Sequence, residues 1–157
     1  MIEQGQSLPE ANLTELTADG MINHSTSELF ADKKVVLFAV PGAFTPTCSE
    51  AHLPGYVVNA DKIKSKGVDI IACVSVNDAF VMKAWGAAHN ASELMMLADG
   101  DGSFTTALGL DMATGSFGGL RSQRYAMVID NGVVTLLNVE APKSFEVSKA
   151  ETILASL

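Results

Sequence analysis

Apolar positions along this chain follow two spacings. Val35-Val36-Leu37-Phe38-Ala39-Val40 and Val68-Asp69-Ile70-Ile71-Ala72-Cys73-Val74-Ser75-Val76 are nearly continuous apolar runs of strand length, the pattern of strands covered on both faces. Between them Leu53, Val57, Ala60 and Ile63 recur at helical spacing, which predicts a helix from the neighbourhood of Cys48 to Lys66. A second helix is expected from Asp78 to Ala88 and a short strand from Leu94 to Leu97. Upstream, Asn12 to Thr17 reads as a strand ending at the turn Asp19-Gly20, and Ser25-Thr26-Ser27-Glu28 reads as a capping box for a short helix through Phe30. Downstream, Tyr125 to Ile129 and Val133 to Val139 flank Asn131-Gly132, a strong hairpin signal. Ala150, Ile153, Leu154 and Leu157 supply the apolar face of a terminal helix.

Composition narrows the class. A chain of 157 residues, 48% hydrophobic and 18% charged, fits one folded domain spanning 1–157 and excludes a disordered chain. The net charge of −8 argues against a nucleic-acid or acidic-membrane partner, and there is no basic cluster to oppose it. No apolar run approaches the roughly 18 residues of a membrane span, and Met1 to Gln6 has neither a basic nor an apolar leader pattern. Two cysteines without a leader suit a reducing compartment, so a cytoplasmic location is expected.

The loop after the first apolar run carries the chemistry. Pro41-Gly42-Ala43-Phe44-Thr45-Pro46-Thr47-Cys48 places a cysteine in or near the first turn of the predicted helix. There the unpaired N–H groups and the positive dipole end favour a thiolate over a thiol. Pro41 and Pro46 stiffen the loop by fixing φ. Thr45, three residues before Cys48, is close enough for its hydroxyl to reach the sulfur or a bound oxygen. An isolated cysteine is ordinarily a small buried hydrophobe, and that is the reading for Cys73 inside its strand.

Pro41, Thr45 and Cys48 in the pattern Pro-x-x-x-Thr-x-x-Cys resemble the peroxidatic loop of peroxiredoxins. The longer string PGAFTPTCS, with HLPG at His52 to Gly55, is similar to the type II, peroxiredoxin-five-like, subfamily. Similarity continues through Ser75 to Trp85 and Arg124-Tyr125-Ala126-Met127-Val128, and covers Leu8 to Leu157. The resemblance implies a thiol-dependent peroxidase without a cofactor, in which Cys48 attacks a hydroperoxide and becomes a sulfenic acid. It also implies oxygen-stabilising donors: the Thr45 hydroxyl, backbone N–H groups near Thr47 and Cys48, and Arg124, with Pro41, Gly42, Phe44 and Thr47 shaping the loop. A thioredoxin-like three-layer α/β/α fold with a mixed central sheet agrees with both the resemblance and the element order. The segment Asn138 to Val147 lacks the resolving cysteine that certain relatives carry there, and a fused glutaredoxin domain, as other relatives have, is not expected. Glutathione with glutaredoxin, or else thioredoxin, is therefore the expected reductant, and a homodimer the expected assembly. The rival reading is a thiol sensor that passes oxidation to a partner protein.

The remaining candidates are read as ordinary. Arg121 competes with Arg124 but is expected to be a solvated loop charge, because the strand motif puts its arginine directly before Tyr125. His52 lies four residues after Cys48, along the helix and without an orienting carboxylate, so local packing is favoured over a cysteine–histidine pair. No His, Cys and Asp grouping has metal-ligand spacing. Asp99-Gly100-Asp101-Gly102 lacks the later glutamate of a calcium loop and reads as a turn. Trp85 and Phe80 are expected in the core or an interface.

Overall fold

The computed structural model describes residues 1–157. Its seven-stranded sheet has the order β2-β1-β5-β4-β3-β8-β9. The strands are β1 (Asn12–Thr17), β2 (Gly20–Ser25), β3 (Lys34–Ala39), β4 (Ile70–Ser75), β5 (Met95–Ala98), β8 (Tyr125–Asp130) and β9 (Val133–Val139). The central strands β3, β4 and β5 are parallel, and β1 and β8 join them antiparallel, so the sheet is mixed. Parallel neighbours need crossovers. They are supplied by α2 (Leu53–Lys64) between β3 and β4, and by α3 (Ala79–Ala88) between β4 and β5.

Alternation along the strands divides the interior in two. Val36, Phe38, Ile71, Cys73, Ala126 and Val128 face α2, α3 and the closing helix α5 (Ala150–Ala155). Val35, Leu37, Ala72, Val74, Tyr125 and Met127 face the other way, against Leu29 of α1 (Thr26–Leu29) and Phe104 and Leu108 of α4 (Ser103–Leu108). Two helical layers around one mixed sheet make the expected three-layer thioredoxin-like fold.

Most element expectations hold to within a residue or two. Ser25 caps α1 by accepting from Glu28 N, and Asp78 caps α3 by accepting from Val81 N. Asn131, at φ 49°, and Gly132, at φ 78°, both adopt the left-handed conformation that a tight two-residue hairpin demands. Four elements have no counterpart in the sequence reading. The edge strand β2 exposes Met21 and Ile22, so it lacks an apolar alternation. The strands β6 (Asp111–Ala113) and β7 (Leu120–Ser122) are three residues each and form a separate hairpin. The six-residue α4 is held mainly by Asp99, whose carboxylate accepts from Phe104 N and Thr105 N. The turn Asp99 to Gly102 therefore works as a helix-capping turn. No helix is long and apolar enough to cross a membrane.

Register decides where the chemistry gathers. Ala39, at the end of β3, pairs with Tyr125, at the start of β8, and Tyr125 pairs with Val139, at the end of β9. Antiparallel pairing thus brings Val40, Arg124 and Glu140 to one end of the sheet, and the backbone N–H of Glu140 donates to Arg124 O at 3.0 Å. That end is the carboxyl end of the parallel strands, where open α/β sheets bind ligands.

Candidate active site

The polypeptide leaves β3 through Pro41 and Gly42, reverses at Phe44 and enters a helix. Phe44 has φ 64°, a left-handed conformation unusual for a bulky side chain, and its ring is exposed. Thr45 Oγ1 donates to Gly42 O at 2.7 Å, which ties the loop across its own base. Cys48 lies in the first helical turn, as expected, but that turn is not ordinary α-helix. Residues Cys48–His52 form a π-helical turn that runs into α2, with Leu53 N donating to Cys48 O. A π turn inserts an extra residue, and such turns recur at functional sites. Here it rotates Cys48 and His52 inward together, and both side chains are fully buried.

Arg124 reaches across from the start of β8. Its Nη2 donates to Cys48 Sγ at 3.0 Å and its Nη1 donates to His52 Nδ1 at 2.8 Å. The first contact is charge-assisted when the sulfur is a thiolate. The Phe145 ring lies 5.8 Å from the guanidinium carbon and packs edge-on to the His52 ring, limiting water on that side. Thr47 N–H and Cys48 N–H sit where no preceding helical carbonyl is in reach, and neither donates to another group of the protein. The sulfur therefore has an arginine on it, in a turn whose Thr47 and Cys48 N–H groups remain free to donate.

Of the predicted site residues, the structure brings Arg124 onto Cys48, whereas the Thr45 hydroxyl is turned to Gly42 O and not to the sulfur. Pro41, Thr47 and Arg124 line a cleft of about 720 Å³ whose other walls include Met112, Phe117, Pro142 and Phe145. Gly42 and Phe44 shape the loop and, like Thr45 and the fully buried Cys48, do not line that cleft. Arg121 is not a free loop charge. It is half-buried, its Nη1 donating to Pro41 O and its Nε to Gly118 O, both at 3.1 Å. A Cβ on Gly42 or Gly118 would strike its guanidinium, so the two glycines form its seat. His52 is also more than a packing residue; the HLPG string and its place four residues after Cys48 were its sequence signals, and its partner Arg124 was not among them.

Electrostatics separate the titratable groups. Burial, reinforced by the Arg124 charge and only partly opposed by the Ser148 carbonyl, lowers the His52 pKa from 6.5 to about 3. His52 is therefore a neutral imidazole at neutral pH. Cys73 is free and buried in β4, as expected. Burial pushes its thiol well above the ordinary value, with Cys48 acting the same way and Arg124 opposing.

Comparison with known proteins agrees with this geometry. The family model described as Redoxin matches residues 3–154. The chain is similar to chloroplastic Peroxiredoxin-2E of Arabidopsis thaliana, 49% identical over 162 residues, which is 99% of this chain and 69% of that protein. It is also similar to Peroxiredoxin-2C of the same plant, 45% identical over 159 residues, 99% of this chain and 98% of the relative. Reduced Prx3 from Vibrio vulnificus in complex with H2O2 superposes with a TM-score of 0.98 at 76% identity, covering 99% of each chain. Sheet, loop and buried thiol define the class, a thioredoxin-fold oxidoreductase that works through cysteine. The chain belongs to the redoxin family and is a peroxiredoxin, a thiol-dependent peroxidase.

Proposed function

We propose that Cys48 is the peroxidatic residue and that it reduces hydrogen peroxide and alkyl hydroperoxides. The observation that carries this is Arg124 Nη2 at 3.0 Å from Cys48 Sγ, in a turn whose first N–H groups are free. A peroxide approaches Cys48 from the cleft that Thr47 and Arg124 line. The thiolate attacks one oxygen, an S–O bond forms and the O–O bond breaks. The departing oxygen leaves as hydroxide or alkoxide and takes a proton, giving water or an alcohol and Cys48 sulfenic acid. Charge grows on that departing oxygen, and Arg124 with the Thr47 and Cys48 N–H groups stabilises it in a site largely closed to water. Thr45 already donates its proton to Gly42 O. Its oxygen is then free to accept from the peroxide O–H, which orients the substrate rather than polarises it. The apolar walls at Met112, Phe117 and Phe145 suit an alkyl tail as well as hydrogen peroxide.

Regeneration falls to an external thiol. Cys73 is fully buried with its thiol held protonated, which makes it a poor attacking group. One outside thiol condenses with the sulfenic acid, releasing water and leaving a mixed disulfide; a second thiol releases Cys48. Glutathione with glutaredoxin is the first choice of reductant and thioredoxin the second. A homodimer in a reducing cytoplasm is the setting that suits this cycle.

The test is stopped-flow oxidation of the reduced protein by hydrogen peroxide, with Cys48 sulfenic acid confirmed by mass spectrometry. Oxidation orders of magnitude faster than free cysteine is expected. A rate equal to that of free cysteine would overturn the assignment.

A further inference from the structure

An arginine side chain has several rotatable bonds, and its guanidinium must be held if it is to stay over one sulfur. Cys48 Sγ occupies Arg124 Nη2, and His52 Nδ1 accepts from Nη1 at 2.8 Å. An imidazole nitrogen accepts only when the ring is neutral and its proton is on the other nitrogen. That other nitrogen, Nε2, is 3.1 Å from Ser148 O and donates to it. Tyr56 donates to the same carbonyl at 2.7 Å, so that oxygen is fixed from two sides.

Ser148 is itself clamped. Its N–H and its hydroxyl both donate to Glu140 Oε2, at 2.8 and 2.7 Å, and Glu146 N joins them at 2.8 Å. Glu140 directly follows β9, and its own N–H donates to Arg124 O. The path from Arg124 through His52, Ser148 and Glu140 therefore returns to the Arg124 backbone. No buried side-chain polar atom of this ring is left without a partner, as a rigid buried network requires. Burial works against the charged form of Glu140, but the hydroxyl and N–H donors of Ser148, with Glu146 and Val147, outweigh it and hold the carboxyl below its ordinary range.

We propose that His52, fixed by Ser148 and Glu140, is the positioning residue that aims Arg124 at Cys48 and at the peroxide. The inference rests on the peroxidase reading above. His52 is not a general base, because its one lone pair in the ring plane is spent on Arg124. It does not touch substrate, because Arg124 stands between it and the sulfur. Its effect is geometric: a misplacement of the arginine by about 1 Å is enough to cost on the order of a hundredfold in rate.

Two variants separate positioning from packing. His52→Asn places an amide oxygen near the position of Nδ1 and keeps an acceptor for Arg124. His52→Gln places its amide nearer the position of Nε2 and keeps the Ser148 contact while losing that acceptor. Second-order oxidation by hydrogen peroxide should fall about tenfold or more in His52→Gln and His52→Leu, and less than about threefold in His52→Asn. In an Arg124→Ala background, His52→Leu and Glu140→Gln should each add no further loss, because their effect runs through the arginine. Iodoacetamide alkylation of Cys48, which needs no oxygen stabilisation, checks that the thiol remains accessible and should fall less than peroxide oxidation. Equal losses in His52→Asn and His52→Gln, or losses that multiply with Arg124→Ala, would overturn the positioning role. A wild-type rate no faster than free cysteine would overturn the peroxidase reading instead, so the two failures are distinguishable.

Discussion

The indole N–H of Trp85 donates to Ser49 Oγ at 2.9 Å, and Ser49 is the residue immediately after Cys48. Trp85 is fully buried in α3, so this bond satisfies its one polar atom and pins the π turn to a second helix. Three residues now hold that turn through four hydrogen bonds: Trp85 on Ser49, Arg124 on Cys48 and His52, and Ser148 on His52.

Trp85 is the only tryptophan in the chain, and its emission should report the state of Cys48. Oxidation of Cys48 with one equivalent of hydrogen peroxide is expected to change it in a single fast phase. Ser49→Ala should lose at least about half of the amplitude, with the oxidation rate by quenched-flow mass spectrometry within about twofold of wild type. An unchanged amplitude in Ser49→Ala would mean that the signal reaches Trp85 by another route.

Removing Arg124 should act on rate far more than on stability. Loss of a donor to developing oxygen charge costs roughly a hundred- to a thousandfold, and Arg124→Ala should slow peroxide oxidation by that order. It leaves His52 Nδ1 buried without a donor, at about 1–3 kcal/mol, visible as a modest drop in melting temperature. Arg124→Lys should recover little of the rate, since a single ammonium cannot reproduce the fork that serves both Cys48 and His52. Cys48→Ser should abolish peroxide reduction. Peroxide kinetics and thermal unfolding on the same preparations check all three.

Thr45→Val keeps the shape of the side chain and deletes the bond to Gly42 O. A loss of about tenfold or more is expected in peroxide oxidation. Full activity in this variant would remove Thr45 from the mechanism.

Arg121 and Gly42 should behave as a pair. A methyl group at Gly42 pushes the Arg121 guanidinium away from Pro41 O, so Gly42→Ala and Arg121→Ala are expected to loosen the same loop. Each should slow peroxide oxidation several-fold, and the double variant should be no slower than the worse single one. Wild-type kinetics in Arg121→Ala would return this residue to the status of a surface charge.

Acid should destabilise the fold through His52 and Glu140. The His52 pKa is lowered from 6.5 to about 3, so between those values the unfolded chain binds a proton that the folded chain does not. Stability is then full above about pH 6.5 and falls as pH drops toward 3. At about 1.4 kcal/mol per pH unit, the whole window amounts to ~5 kcal/mol. Glu140, also lowered, adds a loss in the same direction below its ordinary value of 4.5. Urea midpoints measured from pH 7 to pH 4 should fall in wild type and much less in His52→Leu. A midpoint independent of pH over this range would show that His52 is not buried as a neutral ring.

The local elements were written into the chain because their signals are local. The nearly continuous, β-branched apolar runs around Phe38 and Cys73 have the length and composition of strands covered on both faces. Asp78 and Ser25 announce helix starts by their capping chemistry, and Asn131-Gly132 allows little but a tight hairpin. Loop stiffness at Pro41 and Pro46 and the position of Cys48 at a helix start were equally legible, and with Arg124 before the β8 strand they carried the family resemblance. The three-residue strands β6 and β7 and the edge strand β2 were not legible, because their stability comes from pairing and not from any apolar period.

Partnership was decided only by the tertiary structure. His52 and Arg121 read as ordinary because their partners lie far away in sequence: Arg124 and Ser148 for the one, Pro41 and the seat at Gly42 for the other. The π turn is likewise invisible in a helical period, since only the exposed Pro46 and Thr47 precede it in the helix and the apolar face begins after it, at Leu53. A buried polar group declares its role through what satisfies it, and that depends on the register which brings the ends of β3, β8 and β9 together. Sequence determined the cysteine, its loop and the sheet that carries them; the fold determined which groups hold the arginine above it.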